Sequence, residues 1–197
     1  MMNIGFLASH RGSNMQAVLD AIREGVLRAH PAVLVCNNRN AEATLRAAQQ
    51  NVPVDVLNSV THPDPGALDE AILDALRRHE CDLIVLAGFM KKLGPRVLSA
   101  FRGRIINIHP SLLPKHGGQG MYGQNVHRAV LAGGETVTGV SIHLVNEEYD
   151  QGRILAQAEV PVAPGDTVES LSARVLDCEH RFLVETLVRI ESDEITL

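Results

Sequence analysis

The chain has 197 residues, 45% of them hydrophobic, which is enough to bury one full core. A formal net charge of −5 argues against a general nucleic-acid or membrane-surface binder. Trp is absent and aromatic residues make up 3%, which disfavours a base-stacking platform.

No apolar run approaches the length of a membrane-spanning helix. The start, Met1-Met2-Asn3-Ile4, enters a strand pattern at once and lacks the basic region and cleavage site of a leader, so a cytoplasmic location is expected. Cys36, Cys81 and Cys178 are widely spaced, which indicates neither a disulfide framework nor a CxxC metal or redox pair.

In chain order, Ile4 to Ala8 reads as a strand. Met15, Val18, Leu19 and Ile22 then fall on one helical face, with Ser13 and Gln16 spaced as a capping box. A strand at Ala32 to Cys36, a helix at Glu42 to Gln50 and a strand at Val54 to Leu57 follow. After a loop holding Pro63 and Pro65, Leu68, Ile72, Ala75 and Leu76 mark a third helix. Residues 82–88 are apolar without alternation, the pattern of a parallel strand covered on both faces. A short helix from Pro95 to Phe101 leads into a strand at Ile105 to Ile108. This alternation predicts an α/β chain with an open, doubly wound, mostly parallel sheet.

The pattern then changes. Residues 115–124 hold four glycines and read as a mobile loop, followed by a short helix at Val126 to Leu131. Val137 to Val145 and Ile154 to Val160 alternate and predict an antiparallel pair at the sheet edge. The run from Asp166 to Glu169 has the spacing of a cap for a last helix reaching about Ile190. No linker or repeat interrupts residues 1–197, so one domain is expected.

The most informative stretch is Arg104-Ile-Ile-Asn-Ile-His-Pro-Ser-Leu-Leu-Pro114. Strand side chains repeat every two residues, so Asn107 and His109 share a side. Pro110 keeps His109 extended. An amide donor beside a titratable ring, at the carboxyl end of a parallel strand, points to catalysis. The weaker reading is an Asn satisfied by backbone and a His that merely ends the strand.

The first strand-to-helix connection, Ser9 to Asn14, places Gly12, Ser13 and Asn14 where free backbone N–H groups favour an anion. It is neither a dinucleotide nor a Walker motif, and an ordinary serine-capped helix start fits it as well. A phosphate monoester is the expected ligand. Asp150, in the polar loop Glu147 to Gly152, is the carboxylate expected to pair with His109 and raise its pKa, against the alternative of a solvated acidic turn. The nine histidines include no HxxH or HExxH arrangement, so no metal site is expected.

Three separated signals now agree. Asn107 to Pro114, Leu86-Ala-Gly-Phe-Met90 upstream and Asp150 downstream together resemble the folate-dependent formyltransferases. The Gly12-Ser13-Asn14 loop with the following Met-Gln-Ala narrows the resemblance to the branch that formylates phosphoribosylglycinamide in purine biosynthesis. It covers residue 3 to about residue 190. It implies a seven-stranded Rossmann-like sheet and an enzyme using 10-formyltetrahydrofolate as co-substrate, with no metal. It also implies small-molecule partners only, the chain working as a monomer or homodimer.

By the same resemblance, Asn107, His109 and Asp150 form the catalytic trio, and Gly12, Ser13 and Asn14 hold the substrate phosphate. Glu179 contacts that substrate, Phe89, Met90 and Lys91 line the pterin pocket, and His143 lies near the site. The reaction it implies is direct attack of the glycyl amine on the formyl carbon, with the oxyanion met by Asn107 and a protonated His109. Asp150 would relay a proton, and the 115–124 loop would close over the substrates.

The chain departs from the family pattern at His116 to Gly123, which is longer and richer in glycine. Pro63 to Gly66 lacks an arginine that some members carry, and a C-terminal extension of some members is not expected. The rivals are a formyltetrahydrofolate hydrolase, a tRNA-directed formyltransferase, a sugar-amine formyltransferase and a non-catalytic phosphate-binding module. No room for a leading regulatory domain or a tRNA-binding domain is expected in this length.

Overall fold

The computed structural model describes residues 1–197. Strands β1 (Met2–Ala8), β2 (Ala29–Cys36), β3 (Val54–Val56), β4 (Leu83–Leu86) and β5 (Ile105–His109) alternate with helices α1 (Ser13–Arg23), α2 (Glu42–Gln49), α3 (Pro65–Arg78) and α4 (Pro95–Ala100). Then come α5 (Gln124–Ala132), the strands β6 (Val137–Leu144) and β7 (Ile154–Pro161), and the long helix α6 (Val168–Glu191). The seven strands form one sheet in the order β3-β2-β1-β4-β5-β6-β7. Pairing is parallel from β3 to β5 and antiparallel across β5–β6 and β6–β7. The expected architecture, with its antiparallel edge, is the observed one.

The sheet divides two cores. Ile4, Phe6, Leu34, Val85, Ile106 and Ile142 pack with Val18, Leu19, Leu171, Val175 and Leu183 of α1 and α6. Leu7, Val33, Ile84 and Ile105 pack with Ile72, Leu76, Val97 and Phe101 around α3 and α4. This explains why β4 reads as an unbroken apolar run: Leu83 and Val85 enter one core, Ile84 and Leu86 the other. On β5, Ile106 and Ile108 enter the α1/α6 core. Asn107 and His109 therefore emerge on the opposite face.

Three local expectations need correction. The Ser13–Gln16 capping box does not form, because Gly12 takes the cap position in a left-handed conformation (φ 65°) and Ser13 is already helical. Gln16 instead donates from Nε2 to Asp20 Oδ1 (3.1 Å). Pro65 lies in α3 rather than in the loop before it. Asp64 Oδ1 accepts from the Ala67 N–H at 2.7 Å, and proline suits the first helical position, where no N–H is needed. The last helix is capped one residue later than expected, by Thr167 with Ser170, since Asp166 is held by Arg174 at 2.7 and 2.8 Å. No helix is long and apolar enough to cross a membrane.

Candidate active site

The antiparallel register of β5 and β6 sets Asn107 opposite His143 and His109 opposite Ser141. Asp150 reaches the same spot from the β6–β7 loop, in a left-handed conformation (φ 56°) that Asp tolerates better than most residues. Its Oδ2 lies 3.5 Å from His109 Nδ1 and its Oδ1 3.4 Å from His143 Nε2. Asn107 Nδ2 lies 3.2 Å from the same His143 nitrogen.

The ring partners decide the protonation pattern. His143 Nδ1 faces the Leu144 carbonyl at 2.9 Å, so that nitrogen carries hydrogen and donates. His143 Nε2 faces both Asp150 Oδ1 and Asn107 Nδ2, and the Asn107 amide keeps a second N–H for another acceptor. His109 Nε2 likewise donates to the His116 carbonyl (2.9 Å), which leaves Nδ1 as the proton-exchanging nitrogen beside Asp150.

Burial lowers the His109 pKa below its ordinary value. The Asp150 carboxylate and the His116 carbonyl oppose that shift without cancelling it. The expectation that Asp150 raises His109 thus holds for the pairwise contact and fails for the net direction, because the ring is almost fully enclosed. For Asp150, burial would raise the pKa. Hydrogen bonding to His143, the charge of His109 and the Gly118 N–H (2.8 Å) outweigh it and leave the carboxyl below its usual range.

At the start of α1, the Ser13, Asn14 and Met15 N–H groups have no acceptor within the chain. Gly12 fits this turn for two reasons: its positive φ, and the 2.7 Å that would separate any Cβ there from Ala43 Cβ. Asn14 donates from Nδ2 to Glu179 Oε2 (3.3 Å), while its own Oδ1 is buried without a partner. Glu179 therefore sits beside the turn that opens α1.

Burial pushes the Glu179 carboxyl up to about 7, with the Asn14 bond opposing the shift. Because the folded pKa exceeds the unfolded one, stability falls as pH rises from about 4.5 to 7, and the cost stays in full above that. Two and a half units correspond to roughly 3 kcal/mol. Glu179→Gln, which copies the neutral form, is expected to be more stable than the parent by about that amount at pH 8 and nearly equal to it at pH 4. Urea unfolding at both pH values checks this; an equal difference at the two would contradict it.

A cleft opens beside the trio, lined by Leu86, Phe89, Lys91, Asn107, His143 and the 145–150 loop. Of the residues assigned to the pterin pocket, Phe89 and Lys91 line the cleft. Met90 does not; its side chain is exposed and its backbone N–H donates to Ser9 Oγ at 2.8 Å. Ser9 N–H in turn donates to the Gly88 carbonyl (3.1 Å). These two bonds join the loops after β1 and β4, where the strand order reverses, the usual ligand position in such sheets.

Sequence reading missed Ser9, the His116 carbonyl and the Gly118 N–H. It also missed Lys92, whose Nζ stands 5.6 Å from the Tyr149 ring at the cleft edge. No group of three or more His, Cys, Asp or Glu side chains is placed to hold a metal ion.

The sequence pattern described as formyl transferase matches residues 2–187. Among similar proteins, the chloroplastic phosphoribosylglycinamide formyltransferase of Vigna unguiculata is 40% identical over 93% of this chain and 59% of its own length. The phosphoribosylglycinamide formyltransferase of Haemophilus influenzae is 38% identical over 92% of this chain and 83% of its own. The chain thus spans less than two thirds of the Vigna protein and, at 66%, of its Arabidopsis thaliana counterpart. The crystal structure of glycinamide ribonucleotide transformylase 1 from Symbiobacterium toebii superposes with a TM-score of 0.93 at 36% identity, covering 100% of this chain and 91% of that one. On the extent of the match and the level of identity, the chain belongs to the formyl transferase family.

Proposed function

We propose that the protein transfers the formyl group of 10-formyltetrahydrofolate to the amine of glycinamide ribonucleotide, a step of purine biosynthesis. The observation that carries this reading is the cluster of Asn107, His143, Asp150 and His109, in which Asn107, His143 and Asp150 line the cleft and His109 is buried against Asp150. Similar proteins bearing the matching activity in their names support it.

In this reading the cleft takes the folate and the turn at Gly12 to Asn14 takes the ribonucleotide phosphate, whose charge suits a helix N-terminus. Holding the amine against the formyl carbon removes translational entropy from the encounter. The amine nitrogen bonds to the formyl carbon, and the carbonyl oxygen becomes an oxyanion that accepts the second N–H of Asn107. His109 starts neutral, takes the amine proton at Nδ1 and becomes an imidazolium stabilised by Asp150. The bond from carbon to the folate nitrogen then breaks, and the proton passes to that nitrogen. Both substrates are small molecules, and no step calls for a metal.

The test is tetrahydrofolate release, followed by absorbance with and without glycinamide ribonucleotide. Release is expected only with the ribonucleotide. Release at the same rate without it would make the protein a hydrolase, and no release in either case would leave a binding module.

A further inference from the structure

The loop that follows β5 is held internally, with Ser111 Oγ donating to the Lys115 carbonyl at 2.7 Å, and has an ionic anchor at the surface. Glu135, in the turn between α5 and β6, receives Lys115 Nζ at 3.0 and 3.1 Å and stands 3.6 Å from His116 Nε2. Hydrogen bonding from Lys115 holds the Glu135 carboxyl below its usual range, so it is anionic at neutral pH. His116 Nε2 is buried and has no hydrogen-bond partner, which makes Glu135 its nearest electrostatic anchor.

The backbone of the same loop grips both members of the proton-transfer pair. The His116 carbonyl accepts from His109 Nε2 at 2.9 Å, and the Gly118 N–H donates to Asp150 Oδ2 at 2.8 Å. Gly117 between them runs so close that a Cβ would stand 2.4 Å from Leu113 Cδ2 and 3.3 Å from Asp150 Cβ. His116 itself is left-handed (φ 53°), a conformation that a non-glycine residue keeps only when its surroundings hold it.

A carbonyl oxygen only accepts, so its bond to Nε2 requires the hydrogen there and frees Nδ1 to take a proton. Without that bond the neutral ring is free to place its hydrogen on Nδ1 and donate to Asp150. Nothing on that side of the ring would then remain to accept a proton.

We propose that Glu135 is a positioning residue, which by anchoring Lys115 and His116 keeps the His116 carbonyl on His109 and so selects the ring nitrogen that exchanges the proton. The proposal rests on the formyl-transfer reading for its kinetic consequence and on geometry alone for its tautomeric one. Other titratable groups facing His109 are Asp150 from the β6–β7 loop, His143 on β6, His127 on α5 and His116 itself. None of these replaces a carbonyl acceptor at Nε2.

The experiment compares the parent with Glu135→Ala, Glu135→Gln and Glu135→Asp by steady-state kinetics and by long-range nitrogen NMR of the His109 ring. Glu135→Ala and Glu135→Gln are expected to lower kcat by about tenfold or more, with KM for the formyl donor changed less than about twofold. Glu135→Asp restores most of the loss. In the parent, Nε2 of neutral His109 shows the shift of a protonated nitrogen, and in Glu135→Ala the hydrogen is shared with Nδ1. Parent-like kcat in Glu135→Ala, or an unchanged Nε2 shift, overturns the proposal. An inactive parent overturns the functional reading separately, because the nitrogen shifts report the anchor without substrate.

Discussion

Asp150→Asn is expected to lower kcat by about a thousandfold, with KM for the folate donor within about twofold of the parent. Asparagine is the informative substitute because it tolerates the left-handed backbone at this position and its carbonyl oxygen can still accept the Gly118 N–H. What it lacks is the charge. The His109 imidazolium then forms in an enclosed site with no counter-ion, and the proton transfer loses its stabilised end-state. A second consequence has a definite sign. Asp150 raises the His109 pKa against burial, so the variant's His109 should titrate lower than the parent's, which is itself below 6.5. Proton NMR of the ring during a pH titration reads both midpoints. Turnover near that of the parent would remove Asp150 from the reaction.

Gly12→Asp is expected to raise KM for the ribonucleotide by about a hundredfold or more while KM for the folate donor stays nearly constant. Loss of charge-assisted bonds to one phosphate is worth about 1.5–3 kcal/mol, and the new carboxylate adds repulsion at the same helix end. The substitution also introduces a Cβ against Ala43. Pairing it with Ala43→Gly removes the 2.7 Å contact, the same pair with Gly12→Asn keeps the remaining crowding without the charge, and a thermal melt checks that the fold is retained. If the double variant binds ribonucleotide like the parent, the phosphate does not sit at this turn.

Both experiments address features already visible in the amino-acid order. β4 was legible because it is apolar on both faces, and β5 because Asn107 and His109 interrupt an otherwise apolar run with period two. The antiparallel edge was legible from the alternation in β6 and β7. What sequence could not convey were contacts made by backbone atoms. The His116 carbonyl and the Gly118 N–H belong to residues whose side chains say nothing of these bonds, in a glycine-rich loop with no periodicity. The net pKa of His109 was illegible for a related reason. Its charged neighbour is named in the sequence, whereas enclosure depends on how β6 and the loop close around the ring. The capping at Ser13 failed on one dihedral angle: a glycine in the left-handed region takes the cap position before the serine.

The most direct measurement follows the carbon itself. With 10-formyltetrahydrofolate labelled by carbon-13 in the formyl group and an equimolar amount of glycinamide ribonucleotide, carbon NMR reports where the label goes. The label should move from the folate signal to a formamide signal on the glycyl nitrogen, at a rate that collapses in Asp150→Asn. Label appearing as free formate, or remaining on the folate, would contradict acyl transfer by Asn107, His109 and Asp150.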